Sequence, residues 1–127
     1  MLFINTKVKQ SKIHGWGVFA DEFVEKGTTI WKFTPDFDLK FTKEQIEKFP
    51  EFFKKYLETY TWLSKKSGMY CFASDNGRYF NHSETPNSLS AYFDEEEEVL
   101  TRAIRDIEIG EEITDNYKTF EEDFKNW

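Results

Sequence analysis

The chain has 127 residues, 39% hydrophobic and 32% charged, with a formal net charge of −7, which fits one compact domain and excludes collagenous or low-complexity architectures. No run of about 18 apolar residues occurs, so no membrane-spanning helix is expected, and Met1–Lys7 lacks the basic and long apolar regions of a signal peptide. One cysteine (Cys71) and two histidines can form neither an internal disulfide nor a closed structural zinc site. An intracellular, cytoplasmic domain free of structural metal is the expectation.

The charge is unevenly spread. Residues 1–70 hold 12 Lys/Arg against 9 Asp/Glu, and residues 71–127 hold 5 against 15. An acidic half argues against nucleic-acid binding, which rests on clustered Lys/Arg, and suits a basic partner; a plain gain in solubility accounts for it as well.

In chain order, strands are predicted at Phe3–Lys9, Gly17–Asp21 and Thr28–Phe33, rich in β-branched and aromatic residues and punctuated by Gly15, Gly17 and Gly27. Thr42-Lys43-Glu44-Gln45 reads as a capping box opening a short helix that Pro50 ends. From Glu51 to Tyr60, helical spacing places Phe52, Phe53, Tyr56, Leu57 and Tyr60 on one apolar face, expected to be core. Strands return at Met69–Ala73, Ser88–Phe93 and Val99–Ile104, and the acidic run Asp94–Glu98 reads as a solvated hairpin turn. Thr119 and Glu122 form a second capping box for a final helical turn. Phe120, Phe124 and Trp127 share its face. The whole is mainly β with short helices in a single domain, residues 1–127, with a helical insert at 42–60 and an aromatic terminal segment at 118–127.

Four segments carry the chemistry. In His14-Gly15-Trp16-Gly17, a Gly-x-Gly between strands lets backbone N–H groups approach a ligand, and Trp16 offers a flat apolar face; a tight β-turn explains the pattern equally well. Asp75-Asn76-Gly77-Arg78-Tyr79-Phe80 is a polar turn leading into Asn81-His82-Ser83-Glu84-Thr85-Pro86-Asn87. Last comes Gly110-Glu111-Glu112-Ile113-Thr114-Asp115-Asn116-Tyr117, a turn and strand ending in tyrosine. Asn81-His82-Ser83 is formally a glycosylation sequon, but without a secretory signal it would not meet the machinery. No Gly-x-Ser-x-Gly accompanies His82.

From about Lys12 to Tyr117 the chain resembles the SET-domain protein lysine methyltransferases, through the Gly-x-Gly entry, the Asn-His-Ser-x-x-Pro-Asn signature and the Gly-Glu-Glu-x-x-x-x-Tyr ending. The resemblance implies a β-clip-like fold of small curved sheets with a C-terminal pseudoknot. It also implies an S-adenosylmethionine-dependent transfer to a lysine amine, releasing S-adenosylhomocysteine and needing no metal. On it, Gly15, Trp16 and Gly17 hold the cofactor, Asn81 lies near its amino group and the His82 backbone near adenine. Arg78 lies near its carboxylate or makes a structural ion pair, Tyr117 stands at the transfer site, and Tyr60 is the second active-site tyrosine. The partner implied is a lysine-containing, basic protein or peptide, with no direct nucleic acid or membrane contact; the protein is a monomer or homodimer, nuclear if it acts on chromatin. A SET-type module that binds peptides without turnover is the alternative.

The sequence also departs from the family. Glu84 stands where many members have Cys, and the cysteine-rich zinc segment after the last tyrosine is missing, so Phe120, Phe124 and Trp127 are the expected lid. Asp115 occupies a position where members commonly carry Phe or Tyr. Were the strand to continue, Asp115 and Tyr117 would share a face, placing a carboxylate at the mouth or wall of the lysine channel. There it would attract the ammonium yet oppose its deprotonation. An exposed residue of no consequence is the other reading.

Overall fold

The computed structural model describes residues 1–121. Ten short strands are arranged in four small sheets. β1 (Thr6–Gln10) and β2 (Trp16–Ala20) form an antiparallel ribbon. β3 (Thr29–Lys32) pairs with β9 (Val99–Ala103), which also pairs with β8 (Ser88–Tyr92). β4 (Leu39–Phe41) and β5 (Thr61–Leu63) flank β6 (Tyr70–Phe72). β7 (Asn81–His82) and β10 (Thr114–Asp115) make a two-residue parallel pair, Thr114 opposite Asn81 and Asp115 opposite His82. A mainly β architecture of small sheets with short helices is what the sequence predicts.

The core is built in two parts. Val18, Val24, Ile30, Val99, Ile107 and Ile113 are buried in the larger one; β2, β3 and β9 supply consecutive buried residues because both of their faces are covered. The smaller part belongs to the helical insert, α1 (Lys43–Glu47) and α2 (Glu51–Tyr60). Ile46, Leu57 and Tyr70 are buried there beneath Phe41, Phe49, Phe53 and Tyr56. Edge-to-face ring pairs such as Phe41–Phe49 and Phe49–Phe53 let so small a cluster bury a large apolar area. The Thr42 capping box is formed as predicted. Phe52 is the exception to the expected α2 face: it is 77% exposed, because the helix turns only the Phe53/Tyr56/Leu57/Tyr60 stripe inward.

The acidic run is not wholly solvated. Glu98 is fully buried, accepting from Ser64 Oγ (2.5 Å) and Lys40 Nζ (3.2 Å). Glu97 and Glu96 pair with Lys40 (3.5 Å) and Lys32 (3.6 Å). The basic first half therefore neutralises part of the acidic second half within the molecule, which reduces the field available to an outside partner.

The segment Glu111–Asp115 crosses between β2 and β7. Ala20 N donates to Glu111 O (2.9 Å) and Ile113 N to Val18 O (2.8 Å) on one side; the β7 pairing takes the other. Asn87 braces it from behind, donating to Glu112 O (2.8 Å) and accepting from Thr114 N (2.9 Å). This is the pseudoknot-like crossing, and it brings residues 14–17, 81–82 and 112–117 together. Beyond it, the 3-10 turn Tyr117–Thr119 is capped by Asn116. Thr119 Oγ1 donates to Ser90 O (2.8 Å) and Asn116 O (2.9 Å). The predicted terminal helix, with Phe124 and Trp127, lies outside the described residues.

Candidate active site

At the junction of the three motif segments stands Glu112, a residue to which the motif alone assigns no role. Its carboxylate accepts from Ser11 Oγ (2.7 and 2.9 Å) and from Asn81 Nδ2 (2.8 Å). The Asn81 amide, buried, also donates to His14 O and Trp16 O, both at 3.0 Å. Asn81 therefore fastens the 14–17 loop to β7, and its NH2 group is engaged within the protein. This gives the two glycines distinct reasons. Gly15 adopts φ +46°, a left-handed conformation that disfavours a side chain. At Gly17 a Cβ would lie 2.5 Å from Glu112 Oε2. Trp16 between them is 55% exposed, its ring presented outward beside the loop.

A second structure is built around Tyr117. His82 Nδ1 accepts from Tyr117 N (3.1 Å), and the two rings lie 5.2 Å apart. The Tyr117 hydroxyl donates to Phe80 O. Burial, with the nearby carboxylates of Glu121, Asp115 and Glu112, pushes its pKa up well beyond that of a free phenol, so it acts as a neutral hydroxyl. His82 Nε2 lies 3.1 Å from Glu84 Oε1, which also receives Lys118 Nζ at 3.1 Å. These contacts hold the exposed Glu84 carboxyl below its ordinary value. In place of the family's cysteine, Glu84 joins two segments by charge.

Tyr117 opens onto a cavity of about 100 Å³, room for a ligand of several heavy atoms, since one water requires about 10–15 Å³ of such space. Tyr60, Trp62, Arg78, Asp115, Tyr117 and Phe120 are among its walls. Tyr60 arrives at the end of α2, its ring packed on Tyr56 and Tyr79. Phe120, of the expected lid, packs against Trp62 and Tyr117. The structure thus brings Tyr60, Arg78, Asp115 and Tyr117 into one cavity, while Gly15, Trp16, Gly17 and Asn81 form the adjoining clamp and His82 joins the two.

The cavity wall carries polar groups without partners. Arg78 sits on the 3-10 turn Asn76–Tyr79, anchored by Asp75, which accepts from Leu2 N (2.7 Å), Gly77 N (3.0 Å) and Trp31 Nε1 (3.2 Å). The guanidinium lies over the Tyr79 ring at 4.9 Å and donates to Asp75 O and Tyr79 OH, both at 3.3 Å. It makes no ion pair with a described residue, and its buried Nε has no acceptor; nor has the buried Trp62 Nε1. The structural ion pair is thus not found among the described residues. Arg78 and Trp62 both line the cavity, and a guanidinium with no ion pair among the described residues fits a ligand that brings a carboxylate.

Asp115, expected at the mouth or wall of the lysine channel, lines the wall of the cavity. It is 2% exposed, so neither a rim position nor an inconsequential surface site describes it. The strand ends at Asp115 and Tyr117 begins a 3-10 turn, so the alternation argument lapses, yet both residues reach the same cavity. Ser90 Oγ donates to Asp115 Oδ2, and Ser90 N (3.2 Å) and Asn116 N (2.8 Å) donate to Oδ1. Burial raises its pKa to about 6, against the lowering effect of those donors and of His82.

A family model of the SET domain matches residues 15–118. The chain belongs to the SET domain family. Among solved structures, a Plasmodium falciparum protein assigned as a histone methyltransferase superposes with a TM-score of 0.64 at 20% identity, over 91% of this chain and 95% of that one. The Polycomb Repressive Complex 2 of Chaetomium thermophilum bound to S-adenosylmethionine gives 0.69 at 24% identity, over 92% of this chain but 16% of that one. At these identities the likeness is one of SET fold. This SET domain spans about one sixth of the Polycomb chain. No curated protein sequence matches the chain.

Proposed function

We propose that this SET domain is an S-adenosylmethionine-dependent protein-lysine N-methyltransferase. The observation that carries the reading is the aromatic cavity in which Tyr60 and Tyr117 meet the unpaired Arg78. Bound S-adenosylmethionine would supply an electrophilic methyl group on a sulfonium. Arg78 would hold its carboxylate, and the 14–17 loop, fixed by Asn81 and Glu112, would hold the remainder. The chain's own contribution is then positioning and electrostatics, which supply most of the rate in an in-line displacement. Tyr117 holds a neutral hydroxyl at the cavity wall, fixed by Phe80 O and by the His82–Tyr117 N bond. The cavity walls exclude water, and the sulfonium of bound S-adenosylmethionine would disfavour the ammonium form of an entering lysine, whose free pKa is about 10.4. The partner is a lysine-bearing protein or peptide, and an intracellular setting follows from this reading.

Calorimetry with S-adenosylmethionine and S-adenosylhomocysteine, together with radiolabelled methyl transfer to lysate proteins, tests the proposal. Binding and transfer are expected for the parent, Arg78→Ala should weaken binding about tenfold or more, and Tyr117→Phe should reduce transfer with binding retained. Absence of cofactor binding would defeat the reading. Binding without transfer to any protein would favour the non-catalytic module.

A further inference from the structure

Asp115 presents a physical imbalance. A buried carboxylate is tolerated when a cation or a full set of hydrogen bonds compensates it. Here Oδ1 accepts two N–H groups and Oδ2 accepts the Ser90 hydroxyl, whose oxygen is in turn hydrogen-bonded to Thr101 Oγ1 at 2.6 Å, so Oδ2 retains room for one further donor. No described cation pairs with the carboxylate. The groups around it are the aromatic walls Tyr60, Trp62, Tyr117 and Phe120, with Ser90 and Thr101 beneath. Of charged or titratable groups, Arg78 and Glu121 line the same cavity and His82 lies on the paired strand β7. Aromatic faces with one uncompensated carboxylate form a receptor for a cation.

We infer that Asp115 is the counter-ion of the substrate amine: its Oδ2 accepts a hydrogen bond from an alkylammonium N–H at the end of the aromatic cavity. This deepens the transferase reading and rests on it for identifying the cavity as the amine's channel. The chemistry sets the ligand class. A primary or partly methylated ammonium has an N–H to give and pairs with Oδ2; a quaternary ammonium has none and retains only the aromatic contacts. The raised Asp115 pKa fits the same picture, since a cation in the cavity would bring it down again.

The test needs no identified substrate. The full chain is titrated with n-butylammonium, n-butyltrimethylammonium and neutral 1-butanol, followed by NMR with carboxyl-labelled aspartate, in parallel with Asp115→Asn and with calorimetry of S-adenosylmethionine. At pH 8 the parent should bind n-butylammonium at least about tenfold more tightly than Asp115→Asn does. It should also bind it more tightly than the quaternary ion, while 1-butanol distinguishes the two proteins little. Within the parent alone, n-butylammonium should lower the midpoint of the Asp115 carboxyl titration, a readout that does not depend on the variant folding. Equal n-butylammonium affinity in parent and variant, or an unmoved Asp115 titration, would overturn the inference. If Asp115-dependent binding is found but S-adenosylmethionine does not bind, the counter-ion stands and the transferase reading falls; the converse separates them the other way.

Discussion

Glu112 and Asp115 stand three residues apart on one crossing segment, and the fold surrounds them in opposite ways. Around Glu112 donors converge, Ser11 Oγ and the Asn81 amide, with Gly17 packed beneath. Around Asp115 three neutral donors, Ser90 N, Ser90 Oγ and Asn116 N, stand on one side and the cavity lies on the other. The first carboxylate is half-buried and ties segments of the protein together, so it belongs to the architecture; the second is buried on a cavity wall with no described cation beside it, and marks where something else is received. The same contrast separates Asn81 from Arg78. The two N–H groups of Asn81 are shared among three protein acceptors, whereas a buried nitrogen of Arg78 has none among the described residues.

Substitution can break this contrast. The largest effect is expected at Glu112: Glu112→Ala removes the acceptor that Ser11 and Asn81 share and loosens the tie between the 14–17 loop and the crossing segment. A loss of about 3 kcal/mol is expected in urea denaturation, along with weakened cofactor binding. Gly17→Ala should cost about 2 kcal/mol through its clash with Glu112. In the Gly17→Ala/Glu112→Ala double variant that cost should be largely absent relative to Glu112→Ala, because the atom it strikes is gone. Additive losses would show that Gly17 is needed for some other reason.

Asp115→Asn should move stability in the other direction. A carboxyl whose pKa rises from 3.8 to about 6 on folding binds its proton more tightly when folded, so stability falls as pH rises across that interval. Asp115→Asn should therefore gain up to about 2–3 kcal/mol at pH 8 and nothing below pH 4, as read from denaturation midpoints at both values. A loss at pH 8 would show that the Ser90 and Asn116 bonds outweigh the uncompensated charge. Tyr117→Phe removes one bond to Phe80 O and should cost about 1 kcal/mol of stability while reducing any methyl transfer severely. Least affected should be Glu84→Gln, whose exposed pairing with His82 and Lys118 is screened by water; its melting curve should overlay the parent's.

The sequence announces part of this and conceals the rest for identifiable reasons. Six of the strands are legible to within a few residues from runs of β-branched and aromatic residues between turn residues, as is the Thr42 capping box. β4, β5, β7 and β10 have two or three residues each, too short to show a period, and exist because tertiary pairing holds them. Asn81, His82 and Tyr117 were visible as a motif, but that Asn81 binds the 14–17 loop depends on Glu112, which arrives 31 positions later. Among neighbouring glutamates, nothing local distinguishes Glu112 from Glu111, which faces Arg105 on the surface at 2.9 Å. Asp115 and Tyr117 do reach one cavity, but not by strand alternation, since the segment turns immediately after Asp115.

The crossing of residues 111–115 between β2 and β7 has a consequence in time. The β1–β2 ribbon and the α1–α2 insert are closed by contacts near in sequence, so they can form early. The clamp and the cavity both require Glu112, Asp115 and Tyr117 to meet residues up to about a hundred positions away, as Ser11 and Glu112 do, and such closures are slow. During synthesis the earlier strands must therefore leave a passage that the last segment enters. Ligand competence should appear late and all at once, since one short stretch of chain locks the loop, seats Tyr117 and brings the unpaired carboxylate into the cavity together.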